Sequence, residues 1–247
     1  MFWWRQQVAD GLWVAFTDAG AGNLALHVGD DAAAVRQRRS RLAVAMGKPP
    51  ESLLFMNQVH STHVVWADQL VPAGPSGDGD ARPGADAMVS PGGLSPMAVM
   101  VADCVPVVLA GFSPDTGEVA GTAVVHAGRQ GLSDGIVSAA VRELQRTGTG
   151  ELDLRAWIGP AICGRCYEVP EEMADSVAAQ VPGTKTTTRQ GTPGLELSRG
   201  VGTQLAGLGV VVEQIAGCTM EESRLFSYRR DHQTGRFAGL VWREQTG

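Results

Sequence analysis

His60, Cys104 and His126 are the residues whose types could do chemistry together. His60 closes Gln58-Val59-His60. Cys104 interrupts the apolar run Ala98-Val99-Met100-Val101-Ala102-Asp103-Cys104-Val105-Pro106-Val107-Val108-Leu109, and His126 opens His126-Ala127-Gly128. Each stands where an apolar stretch ends or breaks, beside the small residues Ser61, Ala102, Ala127 and Gly128. Two imidazoles and a thiolate suit a catalytic zinc ion with one coordination position left open. The same residues admit other readings. Cys104 could be a nucleophile with His126 as its base, or a small core hydrophobe. A mononuclear copper site would also use two His and one Cys, with Met100 as a weak axial ligand. A multicopper cluster needs more imidazoles than the five histidines present. Asp103, next to the thiol, could orient a ligand, shuttle a proton or cap a turn.

The elements that must position these residues are legible from periodicity. β-Branched residues at both ends of the central run predict a strand to about Val101, a break, and a second strand from Val105. Pro106 argues against one uninterrupted central strand, because it cannot donate to a ladder. Alternation at Leu12, Val14 and Phe16 and then Leu24, Leu26 and Val28 predicts a first hairpin around Asp18-Ala19-Gly20-Ala21-Gly22. Asp30 or Asp31 can cap a helix to about Met46, with Gly47 as its stop. Its Arg36 and Arg41 read as a solvated face. A bent strand or strand pair is expected over 53–66, an exposed Pro/Gly/Asp loop over 71–84, and strands over 85–89, 119–126, 154–158, 210–215 and 237–242. Helices are expected over 132–146, 171–180 and 200–208.

No period repeats and no linker divides the chain, so residues 1–247 read as a single α/β domain. There is no glycine-rich strand-to-helix turn of the dinucleotide-binding kind. Hydrophobic residues make up 44% of the chain and the net charge is −6. That balance suffices for a core and gives no reason to expect nucleic acid as a partner. No apolar stretch reaches the length of a membrane span, the aromatic start Met1-Phe2-Trp3-Trp4-Arg5-Gln6-Gln7 is too short for a signal-peptide core, and four cysteines are too few for a disulfide scaffold. A cytoplasmic protein with reduced thiols is expected. Cys163-Gly164-Arg165-Cys166 has redox spacing without a thioredoxin-like context, and no second thiol pair completes a structural zinc site, so it reads as incidental. In Ser227-Tyr228-Arg229-Arg230, arginines beside a tyrosine suit a phosphate or a stacked base.

The motifs also fall in a telling order. Asn23-Leu24-Ala25-Leu26-His27-Val28-Gly29-Asp30-Asp31, Gln58-Val59-His60, Ala102-Asp103-Cys104-Val105-Pro106 and His126-Ala127-Gly128 are followed by Gly159-Pro160-Ala161-Ile162, Tyr167-Glu168-Val169, Cys218-Thr219, Phe226-Ser227-Tyr228-Arg229-Arg230-Asp231 and Thr234-Gly235-Arg236. This set resembles the laccase-domain family of bacterial purine nucleoside phosphorylases, also labelled polyphenol oxidase or peptidoglycan editing factor, over nearly the whole chain. The resemblance implies a four-layer α/β/β/α, cytotoxic-necrotizing-factor-like cysteine hydrolase fold. It implies zinc on His60, Cys104 and His126, with copper as the alternative. It implies phosphorolysis of adenosine, inosine, guanosine and methylthioadenosine, and hydrolytic deamination of adenosine. Cys104, Asp103 and His126 are then the catalytic candidates, and Arg39, Asn23 and Arg230 the candidates for substrate or phosphate. The alternative activity is a cysteine- or zinc-dependent hydrolase acting on peptidoglycan precursors. A monomer or homodimer acting on purine nucleosides and phosphate is expected. The chain departs from the family pattern at Arg38, usually Asn, and at Arg129-Gln130, usually Trp-Arg. His63 reads as structural.

Overall fold

The computed structural model describes residues 1–70 and 84–244. In chain order its strands and helices are β1 (Phe2–Ala9), β2 (Leu12–Thr17), α1 (Ala32–Ala45), β3 (Val64–Trp66), β4 (Ala87–Pro91), β5 (Met97–Val101), β6 (Val105–Phe112), β7 (Val119–Ala127), α2 (Arg129–Asp134), α3 (Ile136–Gln145), β8 (Asp153–Ile158), α4 (Glu171–Gln180), β9 (Lys185–Thr187), β10 (Pro193–Leu195), α5 (Leu197–Gly207), β11 (Val211–Gln214), α6 (Tyr228–Asp231) and β12 (Phe237–Arg243). Two sheets dominate a single α/β domain. One is antiparallel, in the order β1-β2-β12-β5. The other runs β11-β8-β6-β7-β4-β3, with parallel pairs at its two edges and antiparallel pairs within.

Both sheets are covered on both faces, which is why their central strands read as continuous apolar runs. Alternate residues of β5 serve different cores, as the two-residue period of a strand requires. Ala98 and Met100 meet Leu42, Ala43 and Met46 at the end of α1, while Met97 and Val99 face the second sheet. In β6, Val108 and Ala110 face the first sheet, while Val107 and Leu109 pack with Leu132, Ile136, Ala140 and Leu144 of α2 and α3. Asp31 caps α1 by accepting from Ala34 N at 2.7 Å, as the sequence predicts, and Gly47 follows at φ 71°.

The break in the central run is the crossover between the sheets. β5 belongs to the first, β6 to the second, and Ala102-Asp103-Cys104 bridge them. Pro106 is the second residue of β6. Its carbonyl accepts from Gly159 N at 2.9 Å, just past β8, so the missing N–H falls at the end of that ladder.

Three expectations need correction. The first hairpin joins β1 to β2 through Asp10-Gly11, with Gly11 at φ 65°, and not Leu12–Phe16 to Leu24–Val28. Arg5, Gln6 and Gln7 are exposed, so the edge strand β1 carries little apolar signal. Leu24 and Ala25 are buried without joining a strand and pack against α1. Within 53–66 only β3 is a strand; Leu53–Met56 are buried by packing, with one bridge from Leu54 to Met97. The helix expected over 132–146 is two, α2 and α3, parted by Gly135 at φ 97°. The expected loop at 71–84 lies outside the described residues except for Gly84.

Candidate functional site

Cys104, His60 and His126 arrive from three directions. Cys104 leaves the crossover between sheets. His126 is the penultimate residue of β7 and pairs with Pro106 at the start of β6, two residues from Cys104. His60 sits in the loop before β3, with its backbone at φ 60°, a left-handed conformation that costs a side-chain-bearing residue unless its surroundings impose it. Asp86 imposes it. This carboxylate, fully buried just before β4, accepts from Val59 N (3.3 Å), His60 N (3.0 Å), Ser61 N (2.5 Å) and Ser61 Oγ (2.8 Å). It also bonds His126 Nδ1 at 2.8 Å. One carboxylate therefore fixes the loop of one histidine and the ring of the other.

Further contacts complete the scaffold. Asp103 has φ 90° and its carboxylate accepts from Thr219 Oγ1 (2.5 Å) and Arg229 N (2.6 Å), which holds the turn that presents Cys104. The Gln58 amide mimics a strand neighbour, donating to Met100 O (2.6 Å) and accepting from Met100 N (2.8 Å). At Gly128 a Cβ would lie 2.6 Å from His60 Cδ2 and 3.3 Å from Cys104 Sγ, so glycine makes room for both ligands. The result places Cys104 Sγ 3.9 Å from His60 Nε2. The two imidazoles meet edge to face with centroids 4.7 Å apart. One ligand atom from each residue lies within 4.8 Å of the others.

The electrostatics favour charged forms. Burial opposes ionisation of the Cys104 thiol, but His126 and His60 outweigh it and bring the thiol down to about 6. Burial likewise opposes the His126 imidazolium, and Cys104 and Asp86 raise it to about 9. Asp86 is held down at about 2: burial pushes it up, and His126 and Ser61 outweigh that. The donor set fits zinc. It comprises two imidazoles and a readily ionised thiol, with the second nitrogen of His126 held by a carboxylate, the common support of a metal-bound histidine. Among the described residues, these three would hold the ion.

The triad opens into a cavity of about 420 Å³. Arg129, Arg229 and Arg236 line it, with His27, Tyr167 and Tyr228. The Arg229 guanidinium lies 5.0 Å from the Tyr167 ring centroid and donates to Glu168 O at 2.9 Å. Burial and Cys104 raise the Tyr167 phenol above its ordinary pKa, against the pull of Arg129 and Arg229. Burial and the cations Arg236 and Arg39 hold His27 below its ordinary pKa.

The family model described as multi-copper polyphenol oxidoreductase laccase matches residues 14–244. The chain belongs to that family. A purine nucleoside phosphorylase of Streptomyces griseus is 46% identical over 238 residues, spanning 92% of this chain and 93% of that one. A protein of the same name from Mycobacterium tuberculosis H37Rv is 44% identical over 223 residues, spanning 90% and 84%. Among solved structures, YlmD from Geobacillus stearothermophilus superposes with a TM-score of 0.81 at 28% identity, covering 97% of this chain and 98% of that one. YfiH from Bacillus licheniformis gives 0.82 at 26% identity, covering 94% and 93%.

In this member of the laccase family, the structure brings together Cys104, His60 and His126, with Asp103 beside them. It places the other expected residues elsewhere. Arg39 donates to Leu24 O at 2.8 Å, with its guanidinium 3.9 Å from the centroid of Phe55 and 3.8 Å from the sulfur of Met100; it adjoins the cavity-lining Met100 and does not itself line the cavity. Asn23 is buried and accepts from Ala25 N (2.9 Å) and Arg236 N (3.0 Å), so it positions a cavity arginine from behind. Arg230 donates to the carbonyls of Thr219, Glu222 and Leu225 and does not line the cavity. His63 is exposed and outside the cavity, but not as part of a strand holding His60. Asp86, Gln58, Arg129 and Arg236 join the candidates through their positions in the fold. The signal for Asp86 was present: a lone acid between alanines in an otherwise apolar segment. The Cys163–Cys166 pair is not isolated either, because Cys218 and Glu221 stand beside it.

Proposed function

We propose that the chain is a zinc-dependent purine nucleoside phosphorylase acting on adenosine, inosine, guanosine and methylthioadenosine, with adenosine deamination as a second activity. The observation that carries this reading is a single cavity lined by Arg129, Arg229 and Arg236 together with His60, Cys104 and His126. The relatives named purine nucleoside phosphorylase support it. So does the size of the cavity, within the range that small-molecule sites occupy. The helix–sheet–sheet–helix succession of the cores supports the four-layer reading of the fold, with the cytotoxic-necrotizing-factor-like label as part of the same proposal.

Zinc, held by His60, Cys104 and His126, would supply a Lewis acid at the cavity wall. The remaining work belongs to the chain. Arginine forks hold the phosphate dianion and aim one oxygen at the anomeric carbon. The new C–O bond forms as the bond from that carbon to the purine nitrogen breaks, and the electron pair leaves on the purine. Tyr167 and Tyr228 offer faces and hydroxyls for the base and sugar. Asp86 keeps His126 in the tautomer that leaves Nε2 toward Cys104.

The test is to incubate metal-analysed protein with adenosine, with and without phosphate. Adenine and ribose 1-phosphate should form only with phosphate, and inosine in either case. Absence of phosphate-dependent base release would overturn the phosphorylase reading. One observation favours a second reading: the Cys104–His126 pair is charged in the manner of a nucleophile and its base, as a cysteine hydrolase of peptidoglycan precursors would need. Full activity in metal-free protein would favour it.

A further inference from the structure

We propose that Cys163, Cys166, Cys218 and Glu221 form a second, structural zinc site. It lies outside the catalytic cavity and staples together two loops that back that cavity. Two short turns meet there. In the first, Cys166 N and Tyr167 N both donate to Cys163 O, at 2.9 and 3.0 Å. In the second, Glu221 N and Glu222 N both donate to Cys218 O, at 3.1 and 2.9 Å. Each turn therefore offers a ligand at its first and fourth positions. A bridge between Ala161 and Cys218 sets the two turns side by side, with Thr219 N donating to Ala161 O at 3.1 Å.

The donor atoms converge. One atom from each residue lies within 4.8 Å of all the others. Ligands around tetrahedral zinc at about 2.3 Å from sulfur stand about 3.8 Å apart, so only a small contraction closes the site. Cys166 Sγ is 3.1 Å and Cys163 Sγ 3.8 Å from Glu221 Oε1. Cys163 N donates to Cys218 Sγ at 3.4 Å, which ties the first turn to the second. All three cysteines are free thiols. Three thiolates and a carboxylate around a dication leave a net negative charge. Arg189, whose guanidinium is 2.6 Å from Glu221 Oε1, would offset it. Sulfur-rich tetrahedral ligation selects zinc over the hard divalent cations. On binding, the three thiol protons pass to solvent and no electron is transferred.

The placement says what the ion would do. The first turn leads directly into Tyr167, which lines the catalytic cavity. The second contains Thr219, whose hydroxyl holds Asp103 and so the turn of Cys104. A cleft of about 400 Å³ on the other side gives the ion a route in.

Metal analysis with thiol titration tests this. Wild-type protein purified without chelator should carry about two zinc ions per chain. Cys166→Ser should carry about one, and Cys104→Ala should keep one that protects three thiols from alkylation until a chelator removes it. Cobalt-loaded Cys104→Ala should show thiolate-to-cobalt charge-transfer absorption that falls when Cys218→Ser is added. Glu221→Gln keeps every thiol and should weaken zinc retention about tenfold or more with the fold intact by circular dichroism. The proposal fails if Cys104→Ala holds no metal ion, if Cys166→Ser loses none, or if the three thiols of Cys104→Ala react as freely as in denatured protein.

Discussion

Asp86 is the residue through which the site is built. It is buried, and its oxygens are shared between the amides of the His60 loop and the His126 ring. Supporting partners of this kind typically change metal affinity 10–100-fold. Asp86→Asn should therefore weaken zinc binding by about that factor, read by competition with a chromophoric chelator. Unchanged affinity would mean that His126 is oriented by something else. Gly128→Ala isolates sterics from backbone strain. Gly128 has φ −75°, which alanine adopts freely, yet its Cβ would lie 2.6 Å from His60 Cδ2. The variant should lose metal while the metal-free protein melts at or slightly above the wild-type temperature, since a compatible Gly→Ala change contributes about 0.4–1 kcal/mol. Metal content and a thermal melt on one preparation decide it.

At the level of elements, the site depends on chain segments that no ladder holds. The His60 loop is tied to the end of β5 by the Gln58 amide. Gln58→Ala would leave Met100 N and O without that partner, at a cost of about 1–3 kcal/mol, checked by urea denaturation. Asp18 does the corresponding work at the end of β2. It is 3% exposed, accepts from Gly20 N at 2.9 Å, and pairs with the Met1 ammonium and with Arg224. Burial pushes its carboxyl up, but the ammonium and Arg224 outweigh this and hold it below the usual range. A carboxyl lowered in the folded state adds stability above its unfolded pKa and loses it as pH falls through the folded value. The stability gap between wild type and Asp18→Asn should thus be constant near neutrality and narrow below about pH 4. Denaturation midpoints across pH test the sign; a gap that widens in acid would refute it.

For the whole molecule, two sheets meet where β5 hands over to β6, and the cavity forms at that handover. Its arginines come from distant parts of the chain: Arg129 at the start of α2, Arg229 in α6 and Arg236 just before β12. If they hold phosphate, Arg236→Ala should raise the phosphate requirement about ten- to a hundredfold, the worth of a charge-assisted hydrogen bond of roughly 1.5–3 kcal/mol. Inosine formation from adenosine should change little. Arg39, set against Leu24 O and Phe55, should affect both activities together and lower the melting temperature. Initial rates at varied phosphate for both variants separate the roles. A selective effect of Arg39→Ala would instead place phosphate at Arg39.

The sequence by itself determined the elements whose signal is local. The strand–break–strand of residues 97–112 followed from β-branched runs around Asp103-Cys104, and α1 followed from its Asp31 cap and Gly47 stop. His60, Cys104 and His126 stood out as candidates because they break apolar runs and sit in the ordered motifs of the family, and the structure brings the three together. Tertiary structure decided the rest. Asp86 contacts residues 25 to 40 positions away, and no spacing rule encodes such a reach. Arg39 and Arg236 are equally arginine in sequence; only burial and partners assign one to a core edge and the other to a cavity. β1 stayed hidden because the consecutive exposed residues Arg5-Gln6-Gln7 break the apolar alternation on both faces of this edge strand. Cys218 and Glu221 join Cys163 and Cys166 only because a bridge at Ala161 folds one turn against the other.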